Sequence, residues 1–224
     1  TRCRGGSLMA RSLISFLIVL GLASPCQAQI AFGSIGTATN GSPSLTVDQA
    51  NTTGAGDLLV LCIPNKYPAG STVSTPSGWT FPTNGQGSGG SGADGLDVGS
   101  TFATIFYKVA AGTEGDTDTT TVTITGGNSS GGRMLRYTKT LGAWDVAATN
   151  GADSTAGTTW IVTGAADPGV TTADIVVVCS APNTNDYTYT VELITQTGIV
   201  WGTSTERNDS VINTGDDHQL VISD

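Results

Sequence analysis

Short apolar runs fenced by Gly, Asn, Asp and Pro recur along this chain, and none of them extends into a sustained 3.6-residue period. That pattern predicts strands joined by turns rather than helices. Leu58-Leu59-Val60-Leu61-Cys62-Ile63 and Ile175-Val176-Val177-Val178-Cys179 are apolar at every position, so they predict central strands covered on both faces. Thr119-Thr120-Thr121-Val122-Thr123-Ile124-Thr125 instead alternates, which points Val122 and Ile124 inward and Thr121, Thr123 and Thr125 to solvent. Read this way, strands are predicted at 30–37, 44–48, 57–63, 78–81, 101–110, 119–125, 133–139, 158–163, 173–180, 188–195, 198–203 and 219–223. The expected fold is all-β: a two-sheet antiparallel β-sandwich, jelly-roll-like, preceded by a signal-peptide helix.

Composition narrows the class further. A chain rich in Thr and Gly (31 glycines) with three lysines, Lys66, Lys108 and Lys139, is neither a helical bundle nor a coiled coil. The glycines have no period of three, which excludes collagen. A formal net charge of −9 argues against a nucleic-acid groove, because such a groove needs a basic stripe.

Both ends carry expectations about processing. From Met9, Arg11 supplies a positive n-region, 12–23 an apolar h-region, and Pro25-Cys26-Gln27-Ala28 a small-residue cleavage site. Residues 9–28 are therefore expected to be a signal peptide, 1–8 upstream sequence, and 29–224 a single β-sandwich domain without a membrane span once the signal is removed. That removal takes away Arg2, Arg4 and Arg11 and no acidic residue, so the net charge becomes −12. The last apolar run, Gln219 to Ile222, reads as a fresh edge strand, and the domain is expected to continue beyond Asp224. The expected setting is secreted, cell-surface or virion.

Cys62 and Cys179 are the cysteines left in 29–224. In an oxidising compartment they could bridge, with a long-loop disulfide contributing about 4–5 kcal/mol, or remain two buried thiols. The stretch 84–95, Asn-Gly-Gln-Gly-Ser-Gly-Gly-Ser-Gly-Ala-Asp-Gly, reads as a surface loop. Its Gly85-x-Gly87-x-x-Gly90 spacing has no following helix and is no dinucleotide site. Gly56-Asp57 to Pro64-Asn65 resembles Ala173-Asp174 to Pro182-Asn183, which is read as two similar central strands of one sandwich.

Taken in order, several segments resemble a loose group of phage and prophage virion proteins and related bacterial secreted proteins. They are Gly56-Asp57-Leu58-Leu59-Val60-Leu61, Thr75-Pro76-Ser77-Gly78-Trp79-Thr80, Phe106-Tyr107-Lys108-Val109-Ala110, Thr119 to Thr125, Arg136-Tyr137, and Pro168 to Val177. The resemblance spans most of 30–224 and implies a tail, fibre or surface β-domain without defined chemistry. A signal peptide departs from what a virion protein assembled in the cytoplasm would carry.

Few residues offer reaction chemistry. The one histidine, His218, follows Asp216-Asp217 and is expected to be a solvated surface residue. There is no Gly-x-Ser-x-Gly elbow. No cofactor is expected, with calcium the candidate ion: Asp94 and Asp97, or Asp116 and Asp118 with Glu114 nearby, supply loop carboxylates. Trp79, Trp144, Trp160 and Trp201 are expected in the core. Tyr187 and Tyr189, on one strand face, together with Trp79, are the candidate ligand-binding aromatics. The function expected is a non-enzymatic structural or surface-recognition β-domain; the alternative is a secreted carbohydrate-binding module or adhesin. Its partners would be a cell-surface glycan, virion or surface protein neighbours, or further copies of itself, and no nucleic acid.

Overall fold

The computed structural model describes residues 29–41, 44–51, 53–67, 72–88, 100–126, 129–151, 175–182, 203–212 and 218–224. The expected signal peptide, most of the 84–95 loop and the strands expected at 158–163 and 188–195, with nearly all of 198–203, lie outside these residues. Among the described residues there is no helix. The strands are β1 (Ile30–Ile35), β2 (Thr39–Gly41), β3 (Ser44–Asp48), β4 (Leu58–Tyr67), β5 (Thr72–Val73), β6 (Gln86–Ser88), β7 (Ser100–Val109), β8 (Thr119–Thr125), β9 (Ser129–Lys139), β10 (Val178–Ser180), β11 (Glu206–Ile212) and β12 (His218–Ser223).

Among the described residues every strand pairing is antiparallel. They form three sheets: a six-stranded central sheet in the order β1-β9-β4-β7-β6 with β2 also on β9, and two three-stranded sheets, β3-β8-β5 and β10-β12-β11. The all-β class is as expected, but the layering is richer than two packed sheets. The central sheet is covered on both faces, which is why β4 is apolar at successive positions.

On the first face Leu59, Leu61 and Ile63 of β4, with Phe106 and Met134, meet Leu45 and Val47 of β3 and Val122 and Ile124 of β8. On the second face Leu58, Val60 and Cys62, with Leu135 and Tyr137, meet Ile212, Leu220 and Ile222 of β11 and β12. Burying a large aliphatic or aromatic side chain stabilises by about 1.5–3 kcal/mol. A strand that contributes to two cores therefore anchors the whole molecule.

Two local features let three layers meet at β9. Pro64 sits inside β4 and has no N–H to donate, and the β4–β9 register has no rung between Cys62↔Arg133 and Asn65↔Ser130. Opposite that gap β9 carries Gly131 and Gly132. A Cβ on Gly132 would lie 2.6 Å from Val47 and 2.9 Å from Leu45, whereas one on Gly131 would lie 2.4 Å from Ile212. The glycine pair is the point where both outer sheets press on the central one.

Four expectations need correction. Of the run 175–179, expected within a strand 173–180 as a central one covered on both faces, residues 175–177 are not strand; β10 (Val178–Ser180) lies at the edge of its sheet among the described residues, with Val178 and Cys179 half-buried. The segment 78–81 is not a strand. Trp79 N–H closes a turn on the Pro76 carbonyl (3.1 Å), Gly78 takes φ +78°, and only Thr80 bridges Tyr107. His218 is not a solvated surface residue: it opens β12 with no exposed surface at all, because it pairs with Ile212 and shares the inward side with Leu220 and Ile222. β11 went unforeseen because its inward residues, Asn208 and Ser210, are polar and are hydrogen-bonded rather than packed as an apolar stripe.

Candidate functional site

The surface most strongly specified by the sequence is the outer side of the sheet β3-β8-β5. β8 alternates as expected, with Val122 and Ile124 buried and Thr119, Thr121, Thr123 and Thr125 exposed. The register sets Ser44 opposite Thr123, Thr46 opposite Thr121, and Thr72 of β5 opposite Thr125. The result is a grid of exposed hydroxyl and methyl groups about 6.8 Å apart along each strand and about 4.8 Å apart across strands. Among the described residues its one charged member is Asp48, at the rim opposite Thr119 and half-buried. Leu45, Val47, Val122 and Ile124 hold the reverse side in the first core.

The expected ligand-binding residues are dispersed. Trp79 is 8% exposed within the first core, so its ring face is not open for a ligand to stack on. Lys108 Nζ lies 5.8 Å from the centre of that ring and 2.9 Å from Glu114. The aromatic that does reach solvent nearby is Phe81, 45% exposed and 5.7 Å from Phe106, and sequence reading had not singled it out. Tyr187 and Tyr189 lie outside the described residues.

Asp94 and Asp97 also fall outside the described residues. Asp116 and Asp118 are exposed in the loop after β7, where Asp118 Oδ2 accepts the Gly115 N–H at 2.7 Å. Glu114 is the anchored acid of that loop. Its carboxylate accepts the N–H groups of Ala111, Gly112 and Thr113 in addition to the ion pair with Lys108. Burial pushes its pKa up, but the Lys108 contact and the backbone N–H groups outweigh that and bring it down to about 2. These acids serve the turn itself, and among the described residues no group of three or more His, Cys, Asp or Glu is placed to hold a metal ion.

Cys62 and Cys179 are not joined by a disulfide; Cys62 is buried and Cys179 half-buried against the same second core. Between those layers the polar groups are tied to one another. Tyr137 donates to Asp224 at 2.9 Å, Arg207 Nε holds the other Asp224 oxygen at 2.9 Å, and the Arg207 guanidinium lies 4.0 Å from the centre of the Phe32 ring. Burial first, and then the Asp224 charge, raise the Tyr137 pKa far above that of a free phenol. Arg133 donates from Nε to Asn208 at 2.7 Å and to the Gly36 carbonyl, and burial lowers its pKa. Each of these groups joins one sheet or turn to another.

Lys66, fully buried near the end of β4, was not foreseen either. A lysine after Pro64-Asn65 at the end of an apolar strand reads as the strand's exit to solvent, and nothing in the local sequence signals its burial. No protein-family model, no curated protein and no solved structure matches this chain.

Proposed function

We propose that the chain is a non-enzymatic surface-recognition β-domain, secreted or virion-associated, that makes contact through the outer face of β3-β8-β5. The observation that carries this reading is the exposed hydroxyl grid of Thr119, Thr121, Thr123 and Thr125 flanked by Ser44 and Thr46, held flat against a core on its other side. Rigid strands fix such groups at no further ordering cost, whereas a loop would lose conformational freedom on binding. Hydroxyl contacts contribute about 0.5–1.5 kcal/mol each, so a face of this kind acts by number, within one domain and across many displayed copies. The secreted or virion setting is what the resemblance of the sequence segments implies, and no matched family, curated protein or solved structure adds to it.

The test is binding of the purified, fluorescently labelled chain to whole bacterial cells and to itself, beside a panel of ester, peptide and glycoside substrates. Binding to cells or self-association that disappears in Thr121→Lys/Thr123→Lys, with no turnover, is the expected result. Turnover abolished by replacing a single Asp or Glu would overturn the reading.

A further inference from the structure

We infer that the partner of this face is an uncharged, polyhydroxylated polymer, a neutral polysaccharide, and this inference rests on the recognition reading above. The charge distribution is the first argument. The chain carries a formal net charge of −9, yet the exposed positions of β8 and their partners Ser44 and Thr46 are neutral, and the charged partner, Asp48 opposite Thr119, is half-buried at the rim. A nucleic acid would require lysines or arginines here, and an anionic polymer would be repelled by the molecule as a whole. A membrane surface would require apolar and basic side chains together. A specific protein partner would ordinarily find aromatic or arginine anchors in an apolar centre, and this face presents neither.

Chemistry is the second argument. Each threonine hydroxyl donates one hydrogen bond and accepts others, so it can meet a sugar hydroxyl in either sense. The neighbouring methyl groups can cover the less polar C–H side of a sugar ring. The grid repeats along β8 through four threonines and is flanked on both sides by Ser44, Thr46 and Thr72 in register. An extended chain with regularly repeated hydroxyls can engage several rows at once, which converts weak single contacts into useful avidity.

The experiment is co-sedimentation of the full chain with microcrystalline cellulose, chitin and insoluble starch, and with cross-linked polygalacturonate as the anionic control, at low and high NaCl. At least one neutral polymer should pull the chain down, with little change on adding salt because no charge pair is involved. Thr121→Lys/Thr123→Lys should weaken that binding roughly tenfold or more. Thr121→Ser/Thr123→Ser should retain most of it, and thermal melting of each variant checks that the fold is intact. If the chain binds cells through this face but no neutral polysaccharide, or binds the anionic polymer in preference, the inference is overturned and the recognition reading stands. If it binds neither cells, polymers nor itself, both are overturned.

Discussion

On one face of the central sheet Leu59, Leu61 and Ile63 pack against a sheet whose inner side is apolar apart from Thr120 at one end of β8; on the other, Val60 and Cys62 share their layer with Tyr137, Asp224, Arg207, Arg133 and Asn208. The first face keeps its ion pairs at the rim, Lys108–Glu114 beside Trp79 and Arg136–Asp57 at 2.7 Å. The second carries the Asp224 pair inside, with the Asp224 side chain 3% exposed. Apolar burial is non-directional and tolerates a choice of sequences. A buried polar network has to be satisfied atom by atom, or each orphan costs about 1–3 kcal/mol. The first face is thus held by shape and the second by shape and specific partners together.

The two glycines of β9 test that difference most directly. Gly132→Ala should destabilise by about 1–3 kcal/mol through overpacking. Its added methyl meets Val47, Leu45 and Ile63, each already fixed in the first core, at 2.6, 2.9 and 3.0 Å. Gly131→Ala meets mainly the tip of one side chain, Ile212 Cδ1, which can turn away. Chemical denaturation of both variants should rank Gly132→Ala as clearly worse. Equal losses would mean that the second layer is packed as rigidly as the first.

Tyr137→Phe comes next, with an expected loss of about 1 kcal/mol. The phenol is removed without a cavity, its ring contact with Phe32 at 5.9 Å remains, and Asp224 keeps Arg207. A second variant, Asp224→Asn, neutralises the charge that Arg207 faces and should cost more than Tyr137→Phe. If both are neutral in urea melts, the second face is held by its apolar centre alone and the contrast between the faces disappears.

The same contrast governs what could be read from residues. Leu45/Val47 and Val122/Ile124 alternate cleanly, so β3 and β8 were predicted with the boundaries 44–48 and 119–125 that the structure has, and with them the exposed threonines. The fully apolar run in β4 announced cover on both sides, yet nothing in it says that the covers are two separate sheets. β11 was invisible because Glu206-Arg207-Asn208-Asp209-Ser210 has the composition of a loop, and its strand character comes from pairing with β12 and from the Asn208 bond to the Leu220 carbonyl. His218 was misplaced for a related reason. Two aspartates before it imitate a surface turn, while its burial is decided by strands far away in sequence. Trp79 was legible as a core residue by its size, but its cation partner Lys108 was not, since that contact depends on a turn crossing β7.

The smallest effect expected is at the rim of the first face, in Glu114→Gln, about 1 kcal/mol at neutral pH for an ion pair that solvent partly screens. The pH dependence is more informative than the magnitude. Burial alone would raise the Glu114 pKa, but Lys108 and the backbone N–H groups of Ala111 and Gly112 depress it from 4.5 to about 2. A carboxylate with a depressed folded-state pKa stabilises the fold fully above its unfolded value, and the contribution fades as pH falls toward the folded value. Wild type should therefore lose this increment between about pH 4.5 and pH 2, and the glutamine variant, which has no proton to take up, should not. Melting temperatures of the two proteins should converge as the pH is lowered through that window. A gap that stays constant down to pH 2 would assign the stabilisation to the shape of the turn at Gly112, whose φ of +82° glycine alone adopts easily, and not to the charge.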